Sequence, residues 1–156
     1  MGADRELVDW PGLVRYFETI DRASNRVELV DAGRSTDGRR LTAAIVTAPE
    51  NLARLEAIRT TSLRLADPQT LDETSASALM ANQPAIVAIG MSIHASEIGA
   101  TQAAPELLHM LATSQEPEVL RTLHDVVLIP SLRSTPTATS WWSIGIATGR
   151  GQRDSV

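Results

Sequence analysis

Apolar residues recur with a helical period near the start of the chain. Leu13, Val14, Phe17 and Ile20 fall on one face of a segment running to about Ser24. Asp9-Trp10-Pro11 supplies its cap and an early proline. The pattern predicts a packing helix, with Trp10 and Phe17 as core or staple residues. Val27 to Ala32 and Leu41 to Thr47 then read as strands. Between them, Asp37-Gly38 marks a hairpin, because such a turn needs positive φ. A second helical pattern opens at Ala48-Pro49-Glu50-Asn51 and carries Leu52, Leu55, Ile58 and Leu63. It ends near Leu65-Ala66-Asp67-Pro68, since a residue before proline leaves the helical region. Asp72-Glu73-Thr74-Ser75 starts a short helix to about Asn82.

The run from Pro84 to Gly90 is apolar and rich in β-branched residues, which predicts a strand buried on both faces. Helical pattern resumes from Ile98 to Ala104, where Pro105 either kinks the helix or starts a second one through Thr113. Pro117 opens another helix to Leu123, and Val126 to Ile129 is a second buried strand ending at Pro130-Ser131-Leu132. The long helical crossover between these last strands predicts a parallel, right-handed pair. The whole order predicts an α/β fold, with a mixed, mainly parallel sheet and helices on both faces. Beyond Leu132 the character changes. Residues 133–140 are rich in Thr and Ser, Trp141 and Trp142 follow, and 143–156 show no periodicity. The expected division is a folded region over 1–132 and an irregular tail over 133–156.

Composition narrows the function classes. The chain has 156 residues, enough for one domain with a real core, and 43% of them are apolar. A net charge of −5 argues against a general nucleic-acid binder, which would carry a basic face. No stretch approaches the roughly 20 apolar residues of a membrane span, so no membrane partner is expected. The first residues lack a basic and apolar leader pattern, which leaves a cytoplasmic location as the default expectation. Without cysteine, any metal site must use His and carboxylate ligands.

His94 stands just past the predicted strand, and Glu97 follows three positions later in the first turn of the next helix. Open α/β sheets build their sites at this carboxyl edge. An imidazole and a carboxylate both suit zinc, and the His-x-x-Glu spacing lets two side chains converge on one ion. The competing explanation is a loop histidine beside an acid favoured at any helix start by the macrodipole. A serine nucleophile at Ser92 is disfavoured, since Gly90-Met91-Ser92-Ile93-His94 lacks the second glycine of the nucleophile elbow. Arg39 and Arg40 read as a solvated turn rather than an anion site. His124 precedes its strand and His109 lies well along its helix, so both are expected on the surface.

Five blocks in series extend this picture: Gly33-Arg34-Ser35-Thr36-Asp37-Gly38-Arg39, Pro49-Glu50-Asn51-Leu52, Leu65-Ala66-Asp67-Pro68, Ser92-Ile93-His94-Ala95-Ser96-Glu97-Ile98-Gly99 and Leu128-Ile129-Pro130-Ser131-Leu132. Together, from about Asp9 to Leu132, they resemble bacterial zinc carboxypeptidases of the carboxypeptidase A type. The resemblance implies a metallocarboxypeptidase-like fold in truncated form, with His94 and Glu97 as the first two zinc ligands. It implies a peptide or related amide as substrate and release of C-terminal residues. It also implies a later Asn-Pro-Asp-Gly, a substrate-binding Asn-Arg, a third ligand (His) and a glutamate base, and none of these is present.

The tail accounts for the missing continuation. All 14 basic residues are Arg, which suggests a GC-rich gene. If Ser134 is encoded TCA, reading onward from its final base lets the codons of Thr135 to Ala138 spell Asn-Pro-Asp-Gly. In the same frame, Trp141-Trp142-Ser143 gives Val-Val. Arg133 onward is therefore expected to be out-of-frame translation. The resulting expectation is an incomplete, inactive hydrolase fragment, set against a non-catalytic α/β interaction or regulatory domain.

Overall fold

The computed structural model describes residues 8–35, 38, 40–67, 69, 71–91 and 98–132. Contacts divide these residues into two compact units, one combining those up to Ala53 with those from Pro84 to Leu132, the other built on Arg54–Gln83.

In the first unit, helix α1 (Trp10–Ala23) begins where the sequence places it. The Asp9 carboxylate accepts the Gly12 N–H at 2.8 Å, satisfying one of the orphan donors of the first turn. Its apolar stripe buries Leu13, Phe17 and Ile20. Strands β1 (Val27–Arg34) and β2 (Arg40–Val46) form the expected antiparallel hairpin, with Gly33 and Gly38 at φ 98° and 73°. Only glycine takes such values without strain. Arg40 pairs with Asp31 at 3.2 Å, both largely exposed, in keeping with a solvated turn; Arg39 lies outside the described residues.

A short helix α2 (Pro49–Ala53) follows β2. In the second unit, α3 (Leu55–Leu65) and α4 (Glu73–Ala81) are separate helices. The single helix expected over 49–65 is thus broken at Arg54, whose φ of −116° and ψ of 20° leave the helical region. Gln83 ties the end of this unit to α3, donating to the Ile58 carbonyl at 2.9 Å and the Ser62 hydroxyl at 2.8 Å. Asp72 caps α4, and the Ser75 backbone N–H holds its carboxyl below the usual carboxylate range.

The first unit resumes with β3 (Ala85–Met91), α5 (Ile98–Thr113), α6 (Pro117–Asp125) and β4 (Val126–Leu132). α5 runs through Pro105 as one helix, although proline has no N–H to give the preceding turn. The sheet order is β1-β2-β4-β3. β3 and β4 are parallel, as the long crossover predicts, but β1–β2 and β2–β4 are antiparallel. The sheet is therefore mixed and mainly antiparallel, a correction to the expected mainly parallel one. The physical reason is that β4 inserts between the hairpin and β3, and β2 runs against it.

One face of the sheet carries the core. Leu13, Phe17 and Ile20 of α1 meet Leu108, Leu111 and Ala112 of α5, with Ala44, Val46, Met91 and Leu123 in the same cluster. The side-chain amide of Gln102 on α5 holds the Val8 backbone, its Oε1 accepting the Val8 N–H at 2.9 Å and its Nε2 donating to the Val8 carbonyl at 3.2 Å. The other side of β2 and β4 is also out of solvent at Ala43, Ile45, Val127 and Ile129. β3 departs from expectation here. Ala85, Val87, Ala88 and Gly90 are exposed, so the strand is not buried on both faces. It ends the described sheet, and only its last residues reach the core under α5. Thr42 lies on the core side of β2, 2% exposed, with no hydrogen-bond partner for its hydroxyl among the described residues.

Candidate metal centre

The register fixes which chain segments share an edge of the sheet. Met91 pairs with Leu132, and Leu132 pairs with Thr42, so β3 and β4 end where β2 begins. Arg34 pairs with Arg40, so the end of β1 and the start of β2 belong to that same edge. Residues 92–97 lead from Met91 into Ile98, the first residue of α5. The Thr101 hydroxyl of α5 reaches the Met91 carbonyl at 3.5 Å, tying the helix to the end of the strand. His94 and Glu97 both fall in 92–97, outside the described residues.

The remaining histidines are placed elsewhere. His124 is exposed at the end of α6, where its Nδ1 lies 2.7 Å from the Asp125 carboxylate. Because Val126 pairs with Ala85, His124 belongs to the edge at which β3 begins. The length of the strand, roughly 20 Å at 3.3 Å per residue, separates it from the end of β3. His109 is exposed on α5, and its carbonyl accepts the Thr113 hydroxyl at 2.8 Å. Neither joins the carboxyl edge. Among the described residues no group of three His, Asp or Glu side chains could hold a metal ion. Nor is any described helix long and apolar enough to cross a membrane.

What sets the position of β4, and through it β3, is a buried polar lock that the sequence pattern does not disclose. Asn51 of α2 is 3% exposed. Its amide donates to the His124 carbonyl at 2.8 Å, lies 3.1 Å from the Thr47 hydroxyl, and lies 3.4 Å from the Leu123 carbonyl. The Thr47 hydroxyl lies 2.8 Å from both the Leu123 and Val126 carbonyls, and its one hydrogen serves one at a time. Ala48 N–H donates to the Leu123 carbonyl at 2.9 Å. The end of β2 and the start of α2 thereby hold the carbonyls at the α6–β4 junction. By sequence, the Pro49-Glu50-Asn51-Leu52 block reads as a helix start and as one of the five blocks of the resemblance, and neither reading discloses the lock. A polar amide two residues after a helix-opening proline is its one outward sign.

The donor types at positions 94 and 97, one imidazole and one carboxylate, are those zinc accepts in hydrolytic sites. No curated protein matches the chain. A model of the zinc carboxypeptidase family matches residues 13–132, from the first turns of α1 to the last residue of β4 and including both candidate ligands. With that match covering most of its length, the chain belongs to the zinc carboxypeptidase family.

Proposed function

We propose that residues 1–132 are the N-terminal part of a zinc carboxypeptidase-like hydrolase. His94 and Glu97 are the two metal ligands this part contributes. The observation that carries the reading is the family match across residues 13–132, inside which the His-x-x-Glu falls between β3 and α5. When bound, zinc supplies polarisation of a scissile carbonyl and a water of lowered pKa. The chain's own part is positional. The Asn51 lock fixes β4, β4 fixes β3 by parallel pairing, and α5 is tied to the end of β3 through Thr101.

Two ligands leave the usual set of three incomplete, and His109 and His124 stand away from the carboxyl edge. No glutamate can be assigned as the general base that the resemblance implies. We therefore read this chain as a fragment without peptidase activity, and residues 133–156 as translation in a shifted frame. The family match covers residues 13–132.

The test is direct. Purified chain, supplied with zinc and a peptide bearing a free C-terminus, is expected to release no terminal amino acid above the zinc-only blank by mass spectrometry. Release that disappears in His94→Ala would overturn the inactivity.

A further inference from the structure

Helix α5 is held at its two ends by different means. Ala104, Leu108, Leu111 and Ala112 bury its body in the core. At its far end, the Ala112 carbonyl accepts the Ser24 hydroxyl at 3.3 Å and the Ser114 carbonyl accepts the Arg26 guanidinium at 2.6 Å. The first turns, from Ile98, join this body across Pro105. Proline has no N–H, so it cannot give the Thr101 carbonyl its helical partner, and its ring crowds that carbonyl. The Thr101 hydroxyl reaches the Met91 carbonyl only at 3.5 Å, the far limit of a hydrogen bond. Gln102 makes the firmer attachment, since its amide bonds both the N–H and the carbonyl of Val8. Val8 precedes the Asp9 cap of α1 and packs against the core. The start of α5 is thereby clasped to the start of α1.

We propose that Gln102 is a positioning residue for the metal ligand Glu97, acting through the first turns of α5. This rests on the reading of Glu97 as a zinc ligand. Glu97 adjoins Ile98, and consecutive Cα atoms lie about 3.8 Å apart, so its backbone follows the first turn wherever that turn goes. A binding constellation holds only when its members stay within about 0.5 Å of their places. With the helical bond to Thr101 missing at Pro105, the Gln102 clasp supplies the constraint that this bond would have given. Releasing the clasp leaves the body of α5 on its core anchors and lets the ligand's position spread. That spread weakens a metal site without abolishing it.

Calorimetric titration of the purified full chain, with zinc alone as the probe, tests this. Gln102→Leu keeps the apolar stem and removes both bonds to Val8. It is expected to weaken zinc binding about three- to tenfold, less than the roughly 10–100-fold lost with groups that touch a ligand directly. In a Glu97→Gln chain the same substitution is expected to change the affinity less than about twofold, because the ligand it positions is gone. Pro105→Ala returns an N–H to the Thr101 carbonyl and is expected to shrink the Gln102→Leu effect. Should Gln102→Leu melt below the titration temperature, Gln102→Asn takes its place with the same expected results, its stem being too short to reach both Val8 groups. Equal affinity in the parent and Gln102→Leu chains, while Glu97→Gln weakens binding, would overturn the proposal and leave the metal reading standing. An equal loss in the Glu97→Gln background would make Gln102 a residue of the fold alone and overturn it as well. If Glu97→Gln leaves zinc binding unchanged, the metal reading and the proposal fall together.

Discussion

Replacing Phe17 by alanine is expected to lower the unfolding free energy by about 3–5 kcal/mol, the range for truncating a buried aromatic ring. Phe17 is fully buried, and its cluster draws on α1, all four strands, α5 and α6. Removing the ring deletes its transfer free energy and leaves a cavity that relaxes only in part. Typical domains have about 5–15 kcal/mol in total, so the loss is a large fraction of what holds this unit together. Phe17→Leu keeps most of the volume and is expected to cost less than about 1.5 kcal/mol. Chemical denaturation followed by circular dichroism measures both. An alanine variant within about 0.5 kcal/mol of the parent would show that α1 does not organise the core.

The second large effect lies in the polar lock. Asn51→Ala removes the donor from the part-buried His124 carbonyl and the buried Thr47 hydroxyl, and leaves a small void. The expected cost is roughly 2–3 kcal/mol, from acceptors that lose a partner at a site largely shielded from water and from lost packing. Asn51→Asp is the sharper variant. It has nearly the same shape, but its ionised form offers oxygens to carbonyl oxygens and has no hydrogen to give. Burial beside acceptors raises such a carboxyl's pKa in the folded state, so the ionised form opposes folding. The sign follows: the Asn51→Asp chain should be weakest at neutral pH and recover as pH falls toward the raised pKa, where protonation restores one donor. A denaturation midpoint for Asn51→Asp that does not rise on acidification, relative to the parent, would contradict the role given to the Asn51 amide.

These two sites also show what the residue pattern can and cannot disclose. Phe17 is legible because a 3.6-residue apolar period has one structural meaning at that length. The Asp9 cap and the hairpin at Gly38 are legible for a similar reason, since each is a local requirement met by few residue types. The sheet's overall direction is not. Whether β4 lies beside β2 or outside β3 depends on contacts between residues about 85 apart in sequence, and no local pattern encodes that choice. β3 misleads through composition. Its apolar run describes a strand made for burial, while among the described residues the four-stranded order leaves it paired on one side, with β4. Asn51 escapes notice because one polar residue at a helix start is ordinarily solvent-facing, and only the fold brings the α6–β4 carbonyls to it. The candidate site is legible as chemistry, a histidine and a glutamate at a strand's carboxyl end. The family match agrees with that chemistry without assigning either residue a role.

The proposed role of His94 and Glu97 is to hold zinc as two ligands of an incomplete set. Calorimetric titration of the purified chain with zinc checks that role. Complete structural sites bind with about 10–16 kcal/mol. Two ligands are expected to give a single weak site, with a dissociation constant of about 10 µM or weaker. His94→Ala and Glu97→Gln should each weaken it further, and His124→Ala should leave it unchanged. Nanomolar one-to-one binding, or binding that survives His94→Ala intact, would rule out a two-ligand site at His94 and Glu97.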